Sequence, residues 1–526
     1  MKENTLKVLA GLALVLLPVA FVPAVLGCPV DAPRCRESFP EKKVEQDFRE
    51  LSFVGYWFGK GTYSNIATTN EFLKGQVLGR LFGGNTTETS KRVSSYAEQR
   101  FIPLFTYSPR LLDGWAKIRA SFELDWTWGD ANYGAGGNLG GAYGADSVNL
   151  QTQNLFLELH PRPNLWINIG LQQVFDNVRV PWKTFIDDLT HTGYRLAFWG
   201  SDGTGVTTHY FFDTDKRLKA GFFQFYENNV EQKDDVVVYT TEYEQDLGIA
   251  TTAGLTLNYL RDYANGEGGV SLLGQGLNSG LNSYNGVFNF NLGNEAYDAD
   301  VFWLGTHAHH DPLLRQGDFG WGGFAVYNFG NVSTASRDVS ISGLAANLRL
   351  AGRYGRQSRD QVVIDHIFTT GDKNNVSDGR YNGILTGNNW TSPGAVHFSH
   401  GLYLLLPHAN VVNRFVAATI DIQNLGYGLN ATSLQVHKEL IPHKLKAKLG
   451  AGLGYATNTP GGMGSLVGSE LNANLCWTPK ALMDIELHAA YMWLGDFYDS
   501  PVVNGGVDER PENPWTVFAT LKWISF

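Results

Sequence analysis

Residues 444–455 read KLKAKLGAGLGY. Lysine stands at 444, 446 and 448 and glycine at 450, 452 and 454, while Leu445, Ala447, Leu449, Ala451, Leu453 and Tyr455 fill the positions between and after them. A period of two belongs to a β-strand, whose side chains alternate between two faces. On a helix the same apolar residues would be scattered round the whole cylinder. One face of this strand is therefore oily, and the other is cationic at one end and bare at the other. A soluble sandwich would set the oily face against a core. A membrane-spanning barrel would set it against lipid and turn the lysines towards a wet lumen.

Further segments repeat the pattern. In 115–130, WAKIRASFELDWTWGD, residues Ile118, Ala120, Phe122, Leu124, Trp126 and Trp128 oppose Lys117, Arg119, Ser121, Glu123 and Asp125. In 483–493, Met483, Ile485, Leu487, Ala489, Tyr491 and Trp493 oppose Asp484, Glu486, His488 and Ala490. In 470–477, Leu471, Ala473, Leu475 and Trp477 oppose Glu470, Asn472, Asn474 and Cys476. In 343–354, Leu344, Ala346, Leu348, Leu350 and Tyr354 oppose Asn347, Arg349 and Arg353. Tryptophans at the ends of such faces suit an interfacial belt. Weaker strand candidates include YRLAFWG (194–200), GVFNFNL (286–292), GLYLLL (401–406), FVAATIDI (415–422) and a final strand, WTVFATLKWISF (515–526).

The composition agrees with a barrel. The 526 residues include 60 glycines, 14 Trp, 23 Tyr and 31 Phe, all suited to girdles, turns and long loops. After the N-terminus no stretch reaches the ~20 apolar residues that a spanning helix needs. A net charge of −10 argues against a nucleic-acid partner. Lys2 and Lys7 precede the apolar run VLAGLALVLLPVAFVPAVLG, so residues 1–27 read as a secretory signal for Sec-type export. The quartet Val25, Leu26, Gly27 and Cys28 resembles a lipoprotein cleavage box, and Cys28 is the candidate for lipidation. A Cys28–Cys35 disulfide would compete with it, because one sulfur cannot do both. There is no CxxC or CxxCH, so neither a zinc ribbon nor covalent haem is indicated and no cofactor is expected.

Residues 28–92 read as a periplasmic leader or plug segment and 93–526 as the barrel. At roughly 24 residues per strand and loop, that length predicts an all-β, antiparallel transmembrane barrel of about 18 strands (about 16–20). Near the C-terminus the long connections 496–514, 456–468 and 371–397 alternate with the short turns TPKAL, IPHK, LPHANV and GRQSRD. Long loops outside and short turns inside is the asymmetry of an outer-membrane barrel in a Gram-negative envelope. The glycine-rich stretch 129–146 reads as another outer loop. A terminal Phe526 is the kind of signal that barrel-assembly machinery reads. Ile524 and Phe526 fall on the face opposite Val517, Ala519, Leu521 and Trp523, which calls for a bulge or for periplasmic exposure of the last residues.

These closing segments resemble the alginate-export family of outer-membrane porins. The likeness lies in GSELNANLCWTPKALMDIELHAAYMWLGDFYD (468–499), in NPWTVFATLKWISF, and in VVIDHIFTTGD (362–372). NIGLQQVFDN (168–177) is similar to the family's Gly-Arg-Gln segment, with Leu171 where the arginine is expected. The likeness covers about 200 residues. It implies an 18-stranded monomeric barrel with a charged lumen that passes an anionic polysaccharide.

Lumen chemistry is electrostatic. Inward Lys444, Lys446 and Lys448 would concentrate anions, with Lys117, Arg119, Arg349 and Arg353 widening a basic track. Glu123, Asp125 and Asp421 would act as counter-charges. The competing reading is mutual neutralisation by Glu439, Glu470, Asp484 and Glu486 on neighbouring strands, with Glu486 and His488 as a pH-sensitive pair. THAHHDP (306–312) puts His307, His309 and Asp311 on one face, but reads as a histidine-rich loop and not as a metal site. No GxSxG occurs and no catalytic residue is proposed. The expected function is a porin or exporter for charged solutes or an anionic polysaccharide. The alternatives are a barrel sheath for an outer-membrane cytochrome conduit and an outer-membrane barrel enzyme.

Overall fold

A computed structural model describes residues 50–68, 77–81, 87–128, 149–173, 202–266, 290–293, 295–357, 360–385, 400–408, 412, 414–420, 422–504, 506 and 509–525. Eighteen antiparallel strands close into a barrel. They are β1 (Leu51–Thr68), β2 (Thr87–Tyr107), β3 (Ala116–Thr127), β4 (Asn149–Arg162), β5 (Leu165–Gln173) and β6 (Asp202–Phe211). There follow β7 (Lys216–Tyr226), β8 (Val236–Asp246), β9 (Thr251–Asp262), β10 (Tyr297–His310), β11 (Phe319–Thr334) and β12 (Asp338–Arg353). The last are β13 (Gln361–Thr369), β14 (Leu429–Ile441), β15 (Leu445–Ala456), β16 (Leu466–Lys480), β17 (Met483–Leu494) and β18 (Trp515–Ser525). Each strand pairs with its successor, and β1 closes the ring against β18 from Gly55↔Ser525 to Ser64↔Thr516. At about 4.8 Å between strands and a tilt of about 40°, the backbone diameter is about 36 Å.

The alternation read from the sequence sorts outside from inside. Leu449, Leu471, Leu487, Leu255, Leu304 and Leu348 face outward and are exposed. Aromatic residues mark the two ends of this belt: Tyr63 beside Trp515, Tyr491 beside Trp493, and Tyr455 at one end, Trp477, Trp523 and Phe53 at the other. An apolar belt on a closed wall between two aromatic rims is the surface of a barrel seated in a membrane. The end holding Leu51 and Ser525 has the short connections, such as 163–164 and 481–482, and the other end has the long ones.

Three expectations need correction. The barrel begins at Leu51 and not at 93, because β1 pairs with both β18 and β2. Its alternation is hard to see because its inner face is itself apolar: Tyr56 and Phe58 pack with Ile102, Leu104 and Val412. GLYLLL and FVAATIDI are not wall strands. They belong to one long connection, 370–428, that returns into the barrel, and LPHANV is therefore not a turn between wall strands. The register of β18 runs without a bulge, and Ile524 turns inward to pack on the Tyr56 cluster. YRLAFWG lies outside the described residues, as does most of GVFNFNL, whose described end at 290–292 is not strand.

The main core lies within the barrel. The inner faces of β8–β13 carry Val238, Leu260, Val301, Trp303, Val326, Ile341 and Ile367. Such a sector would be costly against water, and pieces of the 370–428 connection cover it, with Ile384, Leu385, residues 402–406 and Ile422 in the same cluster. Trp303 Nε1 donates to the Leu385 carbonyl at 2.9 Å, and the Leu385 N–H donates to Asn328 Oδ1 at 3.2 Å.

Candidate channel interior

The opening stretch is explained by what packs on its inner face. Leu449 points out, 66% exposed, while Gly450, Gly452 and Gly454 point in. A Cβ on Gly452 would lie 2.6 Å from Leu402 Cδ1, and one on Gly454 would lie 3.1 Å from Leu405 Cδ1. Gly452 and Gly454 face residues 402–405, while a Cβ on Gly450 would meet the Asn472 amide.

Glu470, on the neighbouring strand β16, roots that segment. Buried at 1% exposure, its carboxylate accepts the backbone N–H groups of Tyr403, Leu404 and Leu405 at 2.8, 2.9 and 2.8 Å. Asn472 donates to Glu470 at 2.8 Å and to the Gly401 carbonyl at 3.1 Å. Lys448 donates to the same Gly401 carbonyl at 2.7 Å, with its ammonium 4.2 Å from the centre of the Tyr403 ring.

Two further layers are stacked on this root. The N–H groups of Ala418 and Thr419 donate to the carbonyls of Leu404 and Leu405 at 2.7 and 3.0 Å. On the far side, Arg414–Ala417 runs parallel to Val77–Arg80, and the Leu81 N–H donates to the Ala417 carbonyl at 2.9 Å. Three chain segments thus form a shelf projecting from the wall. At about 4.8 Å per layer it reaches on the order of 15 Å into the barrel. Tyr498, from the 495–514 connection, donates to the Ala418 carbonyl at 2.8 Å. Further along, the Val412 carbonyl accepts from Arg100 on β2 at 2.8 Å.

Histidines sit in the root of the shelf. The Leu402 N–H donates to His400 Nδ1, and Nε2 donates to the Pro407 carbonyl, both at 3.0 Å, which fixes a neutral tautomer. Burial above all, with the nearby Lys448 charge, holds the His400 pKa down to about 4 against the opposing Pro407 bond. His488 on β17 lies 3.0 Å from both the Tyr403 hydroxyl and Glu486, and its ring stacks on Phe518. His408 stacks on the same Phe518, and burial keeps it well below the usual imidazole range.

The inner faces of β2–β8 also carry charged side chains, and these are paired. Arg100 spans Asp125, at 2.8 and 2.7 Å, and Glu123. Lys219 pairs with Glu242 at 2.9 Å, and Arg217 with Glu244 and Asp246. Arg119, Lys117 at 3.7 Å and His160 at 2.7 Å all contact the Glu158 carboxylate. Across the barrel Arg349 pairs with Asp365 at 3.1 Å and Arg353 with Asp318 at 3.0 Å.

The candidate residues therefore divide. Lys117, Arg119, Glu123, Asp125, Arg349 and Arg353 face inward in ion pairs, in place of an unpaired basic track. Lys444 is not in the ladder: it sits exposed in the turn before β15. Lys446 lies between Glu439 and Cys476 on the flanking strands, and Lys448 is taken up by the shelf. Glu470 is the shelf's anchor. Asp484 accepts the Thr478 hydroxyl, and Glu486 takes His488 and Lys522, the latter at 3.4 Å. Cys28, Asp421 and Phe526 lie outside the described residues. His307 and His309 end strand β10 and are not in a loop, while Asp311 caps the next turn by accepting the N–H groups of Arg315, Gln316 and Gly317. Arg100, Glu158, His400 and Tyr403 were missed. Arg100 and Glu158 carry the sequence signal of charges on alternating faces, but 400–403 gives none.

No protein-family model and no curated sequence matches the chain. The alginate-export resemblance thus rests on the quoted segments alone. Among solved structures, OccAB1 of Acinetobacter baumannii aligns at 10% identity over 93% of this chain and 100% of that one, with a TM-score of 0.51. The outer membrane channel DcaP of Acinetobacter baumannii aligns at 12% identity over 90% of this chain and 97% of that one, with a TM-score of 0.42. The outer membrane protein opdK of Pseudomonas aeruginosa aligns at 12% identity over 90% and 99%, with a TM-score of 0.46. At these identities what the chain shares with OccAB1 is the fold, a closed antiparallel β-barrel.

Proposed function

We propose that the chain is an outer-membrane channel, a single-chain porin that passes small charged solutes alongside an internal shelf. The observation that carries this reading is the division of the barrel's interior. Wall side chains cannot fill a ring of about 36 Å, and barrels of 16–18 strands leave an aqueous channel. Here one sector is apolar and covered, while the sector from β2 to β8 is lined by paired charges. Paired charges, with two cations and a histidine gathered on Glu158, suit conduction of ions and small charged solutes, which need binding weak enough to leave. The reading is of a conduit with no chemistry of its own.

An anionic polysaccharide is the narrower cargo suggested by the alginate-export resemblance. Among the described residues the ion-paired state of the lumen cations gives it no ready-made basic track, so small solutes are the preferred reading. The test is conductance of the purified protein in planar bilayers, with reversal potentials in a KCl gradient and liposome swelling with graded sugars. Steady conductance supports the channel, and a silent bilayer with no swelling refutes it. Block by acidic oligouronates, but not by neutral oligosaccharides of equal length, would move the assignment to the polysaccharide.

A further inference from the structure

We propose that Glu470 is the positioning residue that sets the width of the pathway, by rooting the three-layered shelf on the glycine rail of β15. The proposal rests on the channel reading and adds to it a specific device. A carboxylate turned inward from a porin wall ordinarily serves as lumen charge. This one is withdrawn from the lumen and spent on three consecutive backbone N–H groups, those of Tyr403, Leu404 and Leu405. Those groups belong to a connection and not to a strand, so no ladder satisfies them, and buried N–H groups need an acceptor. Charge-assisted bonds of this kind are the stronger sort.

The neighbouring wall is shaped for the same contact. Gly452 and Gly454 admit Leu402 and Leu405, whose methyl groups a Cβ would approach to 2.6 and 3.1 Å and force to shift. Lys448 and Asn472 both hold the Gly401 carbonyl, two residues before the segment that the carboxylate grips. The second layer, at Ala418 and Thr419, bonds to the carbonyls of Leu404 and Leu405, and the third bonds to Ala417. Each layer therefore bonds to the one before it, and Glu470 is the wall group that grips the backbone of the first. Loss of that anchor loosens all three and widens the lumen.

Two unrelated substitutions make the test. Glu470→Gln is isosteric but removes the charge and puts a donor amide among three donors. Gly452→Leu leaves the anchor intact and pushes Leu402 off the wall. Single-channel conductance and the largest neutral sugar admitted in liposome swelling are read for the native protein, both variants and Glu470→Asp, with heat-modifiable gel mobility to confirm closed barrels. Both variants are expected to raise conductance at least twofold and to admit larger sugars, with Glu470→Asp in between. Variants that match the native conductance and cut-off, or fall below them, overturn the proposal while a conducting native protein leaves the channel reading standing. A silent native protein with conducting variants keeps the anchor and refutes a channel that is open at rest.

Discussion

Replacing Leu449 with arginine tests the sidedness of the whole wall. Leu449 is 66% exposed between two inward residues, Lys448 and Gly450. Its strand is bounded by Tyr455 at one rim and by Leu445, which pairs with Trp477, at the other. At about 3.4 Å per residue and a tilt of about 40°, Leu449 lies about 10 Å from the Trp477 level and about 16 Å from the Tyr455 level. The sum, about 26 Å, matches the apolar band of about 25 Å known for such barrels, so Leu449 sits close to its middle. Arginine at the midplane costs about 2–4 kcal/mol and little near the rims. Leu449→Arg is expected to cost about 2–3 kcal/mol, and Leu453→Arg, about 5 Å below Tyr455, about 1 kcal/mol. Urea titration of folding into phosphatidylcholine vesicles measures both. If Leu449→Arg stays within about 0.5 kcal/mol of the native protein, as an exposed site on a water-soluble protein would, the membrane assignment of this face is wrong. A larger cost at Leu453 than at Leu449 would refute the depth argument.

Three further outcomes are expected. His400 is neutral in the folded protein with a pKa of about 4, below the ordinary 6.5. Its contribution is therefore fully present above about pH 6.5 and is lost as pH falls towards 4, on the order of 3 kcal/mol in all. Conductance of the native protein should change across that window, and that of His400→Gln should change less. Glu158→Gln leaves Lys117 and Arg119 without the carboxylate they share, so the reversal potential in a KCl gradient should move towards anion preference. Asp311→Ala strips the acceptor from three backbone N–H groups in the turn after β10 and should lower unfolding stability by about 1–3 kcal/mol in the same urea assay.

Where one face of a strand meets lipid and the other meets polar groups, the sequence shows it directly. The alternations at 445–455, 471–477 and 483–493 mark the wall, and the outer leucines confirm it. The signal fails wherever both faces are apolar. Tyr56 and Phe58 gave β1 an oily inner face, and the run at 401–406 has no polar alternation because glycines lie on one side of it and a second layer on the other. A buried strand of a soluble core would look the same. The roles of the lumen charges were less legible still. That Glu470 faces inward follows from its place in the alternation, but that it meets three N–H groups from residues 403–405 depends on a return of the chain that no local pattern encodes.

The shelf lies across the seam. Its root grips β15 and β16, its histidine cluster touches β17 and β18, and its continuation at Val412 reaches β1 and β2. The join between the first and last strands, the one place where a barrel can be unzipped sideways, is therefore braced from within. Any force that parts β1 from β18 must act before this brace is seated, or tear it out.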